Sequence, residues 1–212
     1  MDITWHSRRG RQRRANCDAV TIEYTPNYLL AMLVDAAEKS PRSQRFAQHW
    51  ASNIIHQAIS LGDYGGPERL MGIMHQQQKQ LRHEYLHEIA SYCMLRLDLK
   101  SGCFQLLSTG DCQAGIQGSG PIDWLTTPHR ANQNLLTRSL NAKRFLRPDI
   151  IESTLAPGVS LILCSDGYWS EHLQQQTPFN QLTDDASVLK LAYGKTNLSA
   201  TTDTDNLIVN YC

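Results

Sequence analysis

The sequence lacks the features that would indicate a membrane protein, a secreted protein or a nucleic-acid-binding protein. It has no apolar run of the roughly 20 residues that span a bilayer, and its first residues, Met1-Asp2-Ile3-Thr4-Trp5, do not form the basic and apolar regions of a signal peptide. Its 20 lysines and arginines are balanced by 20 aspartates and glutamates, so no net charge attracts nucleic acid or an anionic membrane. We therefore expect a cytoplasmic protein that binds neither.

Paired cysteine motifs are missing as well. The chain has six cysteines, and no two of them form a Cys-x-x-Cys pair. Most of them lie within apolar runs, which is typical of reduced thiols in a core rather than of a disulfide framework or a zinc site. A redox switch at Cys112 or Cys164, which lie close to aspartates, is the less favoured alternative.

What the sequence does contain is a mixture of strand and helix signals. Its 212 residues, 41% of them apolar, suit one domain with a well-buried core. Alternating and β-branched segments predict strands at 19–24, 28–34, 89–97, 103–109, 112–117, 159–164 and 206–211. Apolar residues at four-residue spacing predict two helices, one beginning near Ser40 and one near Pro67. This order predicts an α+β fold with helices packed on a largely antiparallel sheet.

Aspartates flank several of the predicted strands. Asp35 and Asp166 end apolar runs, and Asp111 follows a strand after the turn residue Gly110. Asp18 and Asp205 each directly precede a strand. Any one of them could simply be a turn residue, but several carboxylates gathered at one end of a sheet are costly without a cation. Because magnesium and manganese prefer hard oxygen ligands, the joint pattern predicts a divalent-metal site.

Seven short segments around these aspartates carry a resemblance to a known family. In chain order they are Arg13-Arg14-Ala15-Asn16-Cys17-Asp18, Asp35-Ala36, Gly110-Asp111-Cys112-Gln113, Thr126-Thr127-Pro128-His129, Leu136-Thr137-Arg138-Ser139-Leu140-Asn141, the stretch from Leu155 to Trp169 that contains Ser165-Asp166-Gly167, and Asp205-Asn206. Their order and neighbours resemble the metal-dependent protein phosphatases of the PPM family, the type 2C serine/threonine phosphatases. The resemblance covers nearly the whole chain.

The resemblance implies a single domain over 1–212 with a four-layer α-β-β-α sandwich, in which two largely antiparallel sheets are flanked by helices. It also implies a site with two Mn²⁺ or Mg²⁺ ions and a weaker third position. The implied metal ligands are Asp35, which bridges two ions, Asp166 and Asp205 for one ion, Asp18 and the Ala36 carbonyl for the other, and Asp111 with Asp166 for the third. The implied catalytic residues are Arg13, which would hold the substrate phosphate, Asp35 and Asp166.

The implied activity is hydrolysis of phosphoserine or phosphothreonine on proteins by a metal-activated water, in bacterial signalling and opposite a serine/threonine kinase. We expect a monomer. Two alternatives remain: a phosphatase of the type that acts on anti-sigma-factor antagonists, and a catalytically silent member that only binds phosphoproteins. The basic cluster between Arg8 and Arg14 has no interleaved aromatics, so a phosphate-attracting patch beside the metal site explains it better than a nucleic-acid arm does.

Two departures from the family pattern bear on activity. The glycine-rich loop that usually follows the bridging aspartate is replaced by Ala36-Ala37-Glu38-Lys39, so this loop either keeps ordinary backbone angles or is strained. The flap region around 130–150 is shortened, because only Arg130 to Asn134 separate two of the motifs. A shorter flap predicts a more open cleft.

Overall fold

Two β-sheets packed face to face form the centre of the structure, a computed structural model that describes residues 1–62, 66–132, 135–194 and 197–211, with the backbone alone for Tyr211. Sheet I comprises β1 (Asp2–Arg8), β6 (Gln113–Gln117), β7 (Ile122–Trp124), β12 (Ser160–Cys164), β13 (Ala186–Ala192) and β14 (Asn197–Thr202), in the order β14-β1-β13-β12-β6-β7. Sheet II comprises β2 (Asp18–Tyr24), β3 (Tyr28–Ala36), β4 (Ile89–Asp98), β5 (Cys103–Thr109), β10 (Leu140–Asn141), β11 (Asp149–Thr154) and β15 (Leu207–Tyr211), in the order β11-β5-β4-β3-β2-β15, with β10 beside β4. The short strands β8 (Arg130–Asn132) and β9 (Leu135–Leu136) pair separately.

The sheets are largely antiparallel, as the sequence predicts. Within the described ranges, only β14 beside β1 and β15 beside β2 pair in parallel. The seven predicted strands are all present, with bounds shifted by at most a few residues. Eight of the described strands were not predicted: the longer β1, β11, β13 and β14 and the short β7, β8, β9 and β10. Among them, β13 matters most for the site. It is one of the two central strands of sheet I, and two aspartates, Asp184 and Asp185, directly precede it.

Two helices cover the outer face of sheet II. Helix α1 (Ser43–Ile59) packs on β2 and β3, and helix α2 (Pro67–Gln80) packs beside α1. The predicted apolar face of α1 is confirmed, since Phe46, Trp50 and Ile54 are buried. In α2, which ends at Gln80, Leu70 and Met74 are buried as well. Helix α1 begins at Ser43 rather than near Ser40. The Ser40 hydroxyl lies in the turn before it, where it accepts a hydrogen bond from the Arg42 N–H and donates one to the buried Glu88 carboxylate.

The outer face of sheet I carries a thinner layer. A π-helical segment, Gly167–Gln174, packs Trp169 on Ile162, Cys164 and Val188. A 3₁₀ turn, Phe179–Gln181, follows it. The α+β sandwich predicted from the resemblance is therefore confirmed, with its second helical layer reduced to short segments. Nowhere in the described parts of the chain is a helix long and apolar enough to cross a membrane.

The architecture brings one end of each sheet to a common edge. Because β2 and β3 are antiparallel, the start of β2 lies beside the end of β3, and Asp18 stands directly opposite Asp35. In sheet I the end of β12 likewise meets the start of β13, where Cys164 pairs with Val188. Strands β8 and β9 belong to the predicted flap region, and Leu135 and Leu136 of β9 lie at this same edge. Asn134 falls outside the described residues.

Candidate active site

A cavity of about 380 Å³ lies at this shared edge of the two sheets. We call it the main cavity. It is lined by Arg13, Asp35, Ala36, Ala37, Glu38, Lys39, Ile89, Ala90, Ser91, Asp111, Leu135, Leu136, Ser139, Asp166, Asp184 and Asp185. Six of these side chains are acidic and two are basic, so the cavity is strongly electronegative.

Sheet II contributes Asp35 to the cavity wall and Asp18 beneath it. The Asp18 side chain is completely buried, and its Oδ2 accepts a hydrogen bond of 2.8 Å from the Ser165 hydroxyl, which belongs to sheet I's edge. Among the described residues, its other oxygen, Oδ1, is buried without a hydrogen-bond partner. A buried carboxylate oxygen with no donor costs free energy, and a cation is the usual means of satisfying it.

Asp111 is held by a tight turn after β5. Its backbone N–H donates to the Ser91 hydroxyl, and that hydroxyl donates back to Asp111 Oδ1 at 2.6 Å. Gly110 has a φ of +91° and presses against Ser91, so the turn requires glycine. The Gly110 N–H donates to His129 Nδ1 at 3.1 Å, which ties the predicted Thr-x-x-His motif to this turn.

Sheet I contributes Asp166, Asp184 and Asp185. Asp166 follows β12, whereas Asp184 and Asp185 precede β13. The Asp185 carboxylate accepts hydrogen bonds from the backbone N–H groups of Gly10 at 2.9 Å and Cys17 at 2.8 Å. This one side chain therefore fixes both ends of the loop that carries Arg13.

Arg13 lies at the cavity wall in a bidentate pair with Asp184. Its Nε donates to Oδ1 and its Nη2 contacts Oδ2, both at 2.5 Å. The hydrogen bond to Asp184 raises the pKa of Arg13 further above its already high ordinary value, so the guanidinium is always charged. The loop around it is bound to the segment before β13 through its backbone. The Arg11 N–H donates to the Leu182 carbonyl, and the Gln12 N–H donates to the Thr183 carbonyl.

The gathered carboxylates raise one another's pKa. Burial and the neighbouring charges raise the pKa of Asp18 and Asp35 well above the ordinary value, with Asp185 acting on Asp18 and Asp18 acting on Asp35. Burial, together with the charge of Asp111, raises the pKa of Asp166 to about 8. Like charges held together in a partly desolvated site disfavour ionisation unless a cation is present.

Asp205, which the resemblance assigned beside Asp166, lies apart from the residues that line the main cavity. Its side chain is exposed, it lines no part of the main cavity, and its backbone carbonyl accepts a hydrogen bond from Gln48 of α1. Asn206, which follows it, is buried and bonds to the Asp18 carbonyl and to Ser7. The reason is topological: Asp205 leads into β15, an edge strand, whereas Asp184 leads into the central strand β13.

The remaining predicted residues are placed as follows. Asp18, Asp35, Ala36, Asp111, Asp166 and Arg13 lie at one edge, with Asp18 below the cavity floor. Ala36 keeps ordinary backbone angles, since Gln176 is the one non-glycine residue with positive φ in the described ranges. The loop after Asp35, which lacks the usual glycines, contacts the Arg13 loop instead. Its Glu38 Oε1 accepts hydrogen bonds from the backbone N–H groups of Arg14 at 2.9 Å and Ala15 at 3.2 Å.

The five described cysteines are free thiols, four of them buried. Cys17, Cys93, Cys112 and Cys164 are free and buried, and burial raises the pKa of each thiol, which keeps it protonated and unreactive. Cys103 is free but exposed, unlike the core thiol that the sequence suggested. Cys212 lies outside the described residues.

The donors at this edge have the chemistry that Mg²⁺ and Mn²⁺ require. They are hard carboxylate oxygens, one of them the orphaned Oδ1 of Asp18, together with the backbone at Ala36. As the described side chains stand, no three of the histidines, cysteines, aspartates and glutamates form a closed metal-binding group. These residues therefore fit such an ion in donor type and in burial. The Asp184 carboxylate forms an ion pair with Arg13.

Known proteins resemble this chain in structure but not detectably in sequence. Neither a protein-family model nor a curated protein matches the sequence. Solved bacterial phosphatases match the structure. The serine/threonine phosphatase Stp1 from Staphylococcus aureus aligns with a TM-score of 0.77 at 15% identity, over 91% of this chain and 94% of that chain.

Two mycobacterial structures are also similar. The Mycobacterium tuberculosis serine/threonine phosphatase PstP/Ppp aligns with a TM-score of 0.69 at 16% identity, over 90% of this chain and 98% of that one. The PPM Ser-Thr phosphatase MsPP from Mycobacterium smegmatis, solved in complex with cacodylate, aligns with a TM-score of 0.69 at 17% identity, over 91% and 98%. At these identities the likeness establishes architecture: the chain has the fold of the bacterial PPM-type serine/threonine phosphatases.

Proposed function

We propose that this protein is a metal-dependent phosphatase that hydrolyses phosphoserine or phosphothreonine on proteins. The observation that supports this most directly is the meeting of Asp35, Asp111, Asp166 and Asp184 with Arg13 in one cavity. These residues come from five separate parts of the chain, and the fold that joins them is shared with serine/threonine phosphatases. A cavity lined by six acidic side chains repels a phosphate group, so phosphate binding there calls for cations.

The carboxylates gathered at this edge would hold Mn²⁺ or Mg²⁺ in the roles that the family resemblance implies. Asp35, between the other carboxylates, would be shared by two ions. Asp166 and Asp184 would complete one ion, and Asp18 with the Ala36 carbonyl would hold the second. Asp111, together with Asp166, would serve a weaker third position. In this set Asp184 takes the role that the sequence had suggested for Asp205.

When bound, such ions lower the pKa of a water molecule and neutralise charge on the phosphoryl group. The protein's own side chains supply positioning. Arg13 offers a planar guanidinium fork that suits phosphate oxygens, and Asp184 orients that fork into the cavity. Ser165 holds Asp18 from the opposite sheet, so that donors from both sheets keep a fixed spacing.

Hydrolysis of p-nitrophenyl phosphate tests the proposal. We expect activity that depends on Mn²⁺ or Mg²⁺ and is abolished by a chelator, with a loss of at least about a hundredfold in Asp166→Asn. Asp205→Asn is the matched control, since it removes the same charge from an exposed position, and it should retain activity. Arg13→Ala should mainly raise KM, whereas an equal loss of kcat in Arg13→Ala and Asp166→Asn would contradict the phosphate-holding role.

One observation favours the silent alternative, a protein that binds phosphoproteins without hydrolysing them. Arg13 is already paired with Asp184, which leaves one fewer free cation for phosphate and one fewer free carboxylate for metal. A wild type that is inactive with both metals but still binds a phosphopeptide would support it.

If the protein is active, a panel of phosphopeptides would distinguish a general phosphatase from the anti-sigma-antagonist type. We further propose a monomer that opposes a serine/threonine kinase.

A further inference from the structure

A second cavity, of about 580 Å³, opens beside the main cavity. We call it the side cavity. It is lined by residues of the Arg13 loop, of the segment after β3 and of the start of α1, including Arg14, Ala15, Ser40 and Gln44. The two cavities share Glu38 and Lys39, so one continuous surface connects them. An extended peptide with its phosphorylated side chain in the main cavity can therefore reach the side cavity with an adjacent residue.

The side cavity has the opposite charge character to the main cavity. Arg14 and Lys39 are exposed, and neither side chain has an ion-pair or hydrogen-bond partner in the described parts of the chain. Glu38 is the one acidic residue in its lining, and Glu38 Oε1 already accepts two backbone hydrogen bonds. Two free cations thus face one carboxylate that is partly satisfied.

The surrounding surface reinforces this positive character. Arg9 lies close by, because its Nη1 donates to the Arg14 carbonyl at 3.1 Å. Arg42 lies in the turn before α1 and donates to the Glu84 carbonyl, and within the described ranges it forms no ion pair. Two further carboxylates near this surface are also engaged: Asp203 accepts hydrogen bonds from the backbone N–H of Arg9, and the buried Glu88 accepts one from the Ser40 hydroxyl.

We propose that the side cavity binds an acidic residue of the phosphoprotein substrate, next to its phosphorylated serine or threonine. This inference rests on the proposed phosphatase function, and it adds a preference for the sequence around the phosphorylated residue. Arg14 and Lys39 attract an acidic side chain, so such a residue would enter the side cavity while the neighbouring phosphorylated side chain enters the main cavity. Lys39 and Arg14 are specificity-determining residues in this arrangement.

Two phosphopeptides of equal length test the proposal, one with glutamates and one with glutamines around the phosphoserine. Phosphate release in Mn²⁺ gives kcat/KM for each, and fluorescence anisotropy of labelled peptides gives Kd. We expect the acidic peptide to be preferred about five- to tenfold at low salt, as two exposed charge pairs allow, and the preference to shrink in 1 M salt. The double variant Arg14→Ala, Lys39→Ala should reduce the preference to about twofold or less.

The matched control is the double variant Lys79→Ala, Lys100→Ala, which removes the same charge from exposed positions on α2 and on the turn after β4. It should keep the wild-type preference. A wild type that handles both peptides equally, or a preference that survives in Arg14→Ala, Lys39→Ala, would overturn the inference. If no peptide and no p-nitrophenyl phosphate is hydrolysed, the phosphatase proposal fails, while equal Kd values for the two peptides would separately overturn the role of the side cavity.

Discussion

Replacing Gly10 by alanine would test whether the close contact between the Arg13 loop and the segment before β13 holds the site together. A Cβ atom at Gly10 would lie 2.3 Å from the Asp184 carbonyl carbon and 2.3 Å from the Thr183 carbonyl oxygen. Both are backbone atoms, so no side-chain rotation relieves the clash. The two segments must separate, and the Gly10 N–H to Asp185 hydrogen bond of 2.9 Å must lengthen or break.

Two costs add in this variant. Overpacking costs about 1 to 3 kcal/mol, and weakening a buried hydrogen bond to a carboxylate costs about 1 to 3 kcal/mol more. The free energy of unfolding should fall by about 2 to 6 kcal/mol, which for a domain of this size lowers the melting temperature by about 4 to 24 °C. Because the displaced loop carries Arg13, the KM for p-nitrophenyl phosphate should rise as well.

Thermal unfolding followed by circular dichroism, in the presence of a chelator, measures the change. Gly120→Ala is the control, since a Cβ there would meet no atom within 4 Å, and its effect should stay within about 0.5 kcal/mol. If Gly10→Ala melts at the same temperature as Gly120→Ala, the two segments separate freely and the close contact has no part in stability.

Three further predictions concern the metal site and its loops. Asp184→Asn should abolish Mn²⁺-dependent activity and weaken Mn²⁺ binding measured by calorimetry, whereas Asp205→Asn should change neither; the reverse result would restore Asp205 as a ligand. Glu38→Ala removes the acceptor of two backbone hydrogen bonds and should lower the free energy of unfolding by about 1 to 3 kcal/mol, with Glu38→Gln losing less because its amide oxygen still accepts; equal losses would contradict this. Burial raises the pKa of Asp166 from 3.8 to about 8 and that of Asp185 to about 6. The folded, metal-free protein therefore binds protons that the unfolded chain releases, so these groups favour folding at low pH and this contribution is lost as the pH rises toward 8. The melting temperature of the chelated protein should fall between pH 5 and pH 8 and recover at pH 8 on addition of Mn²⁺; a metal-free protein that becomes more stable over this range would refute the account.

The sequence predicted most of the structure around the site because local patterns specified it. The apolar runs that become β3 and β12 are strong strand signals, and the aspartates at their ends follow directly from them. Asp18, Asp35, Asp111 and Asp166 therefore reach one edge as expected, while their roles as metal ligands stay a prediction. The two long helices were equally visible from their four-residue apolar spacing.

Asp184 was missed because its signal resembles that of Asp205. Both aspartates precede an apolar strand, at Ala186–Ala192 and at Leu207–Tyr211. What distinguishes them is tertiary: β13 lies between β1 and β12 inside sheet I, while β15 lies at the edge of sheet II. The sequence of the segment 186–192 could have indicated this strand, because it is largely apolar and Lys190 lies between Leu189 and Leu191. That strand directly follows Asp184 and Asp185.

The position of β1 has a consequence for how this chain folds. Strand β1, at residues 2–8, is inserted between β13 and β14, which lie some 190 residues later in the sequence. Its side chains Ile3 and Trp5 are buried in the finished protein but have no partner strand while the middle of the chain is being synthesised. Contacts between such distant segments slow folding and prolong the exposure of apolar surface. Sheet I, and with it the edge that holds Asp166 and Asp184, can therefore form only after nearly the whole chain has left the ribosome.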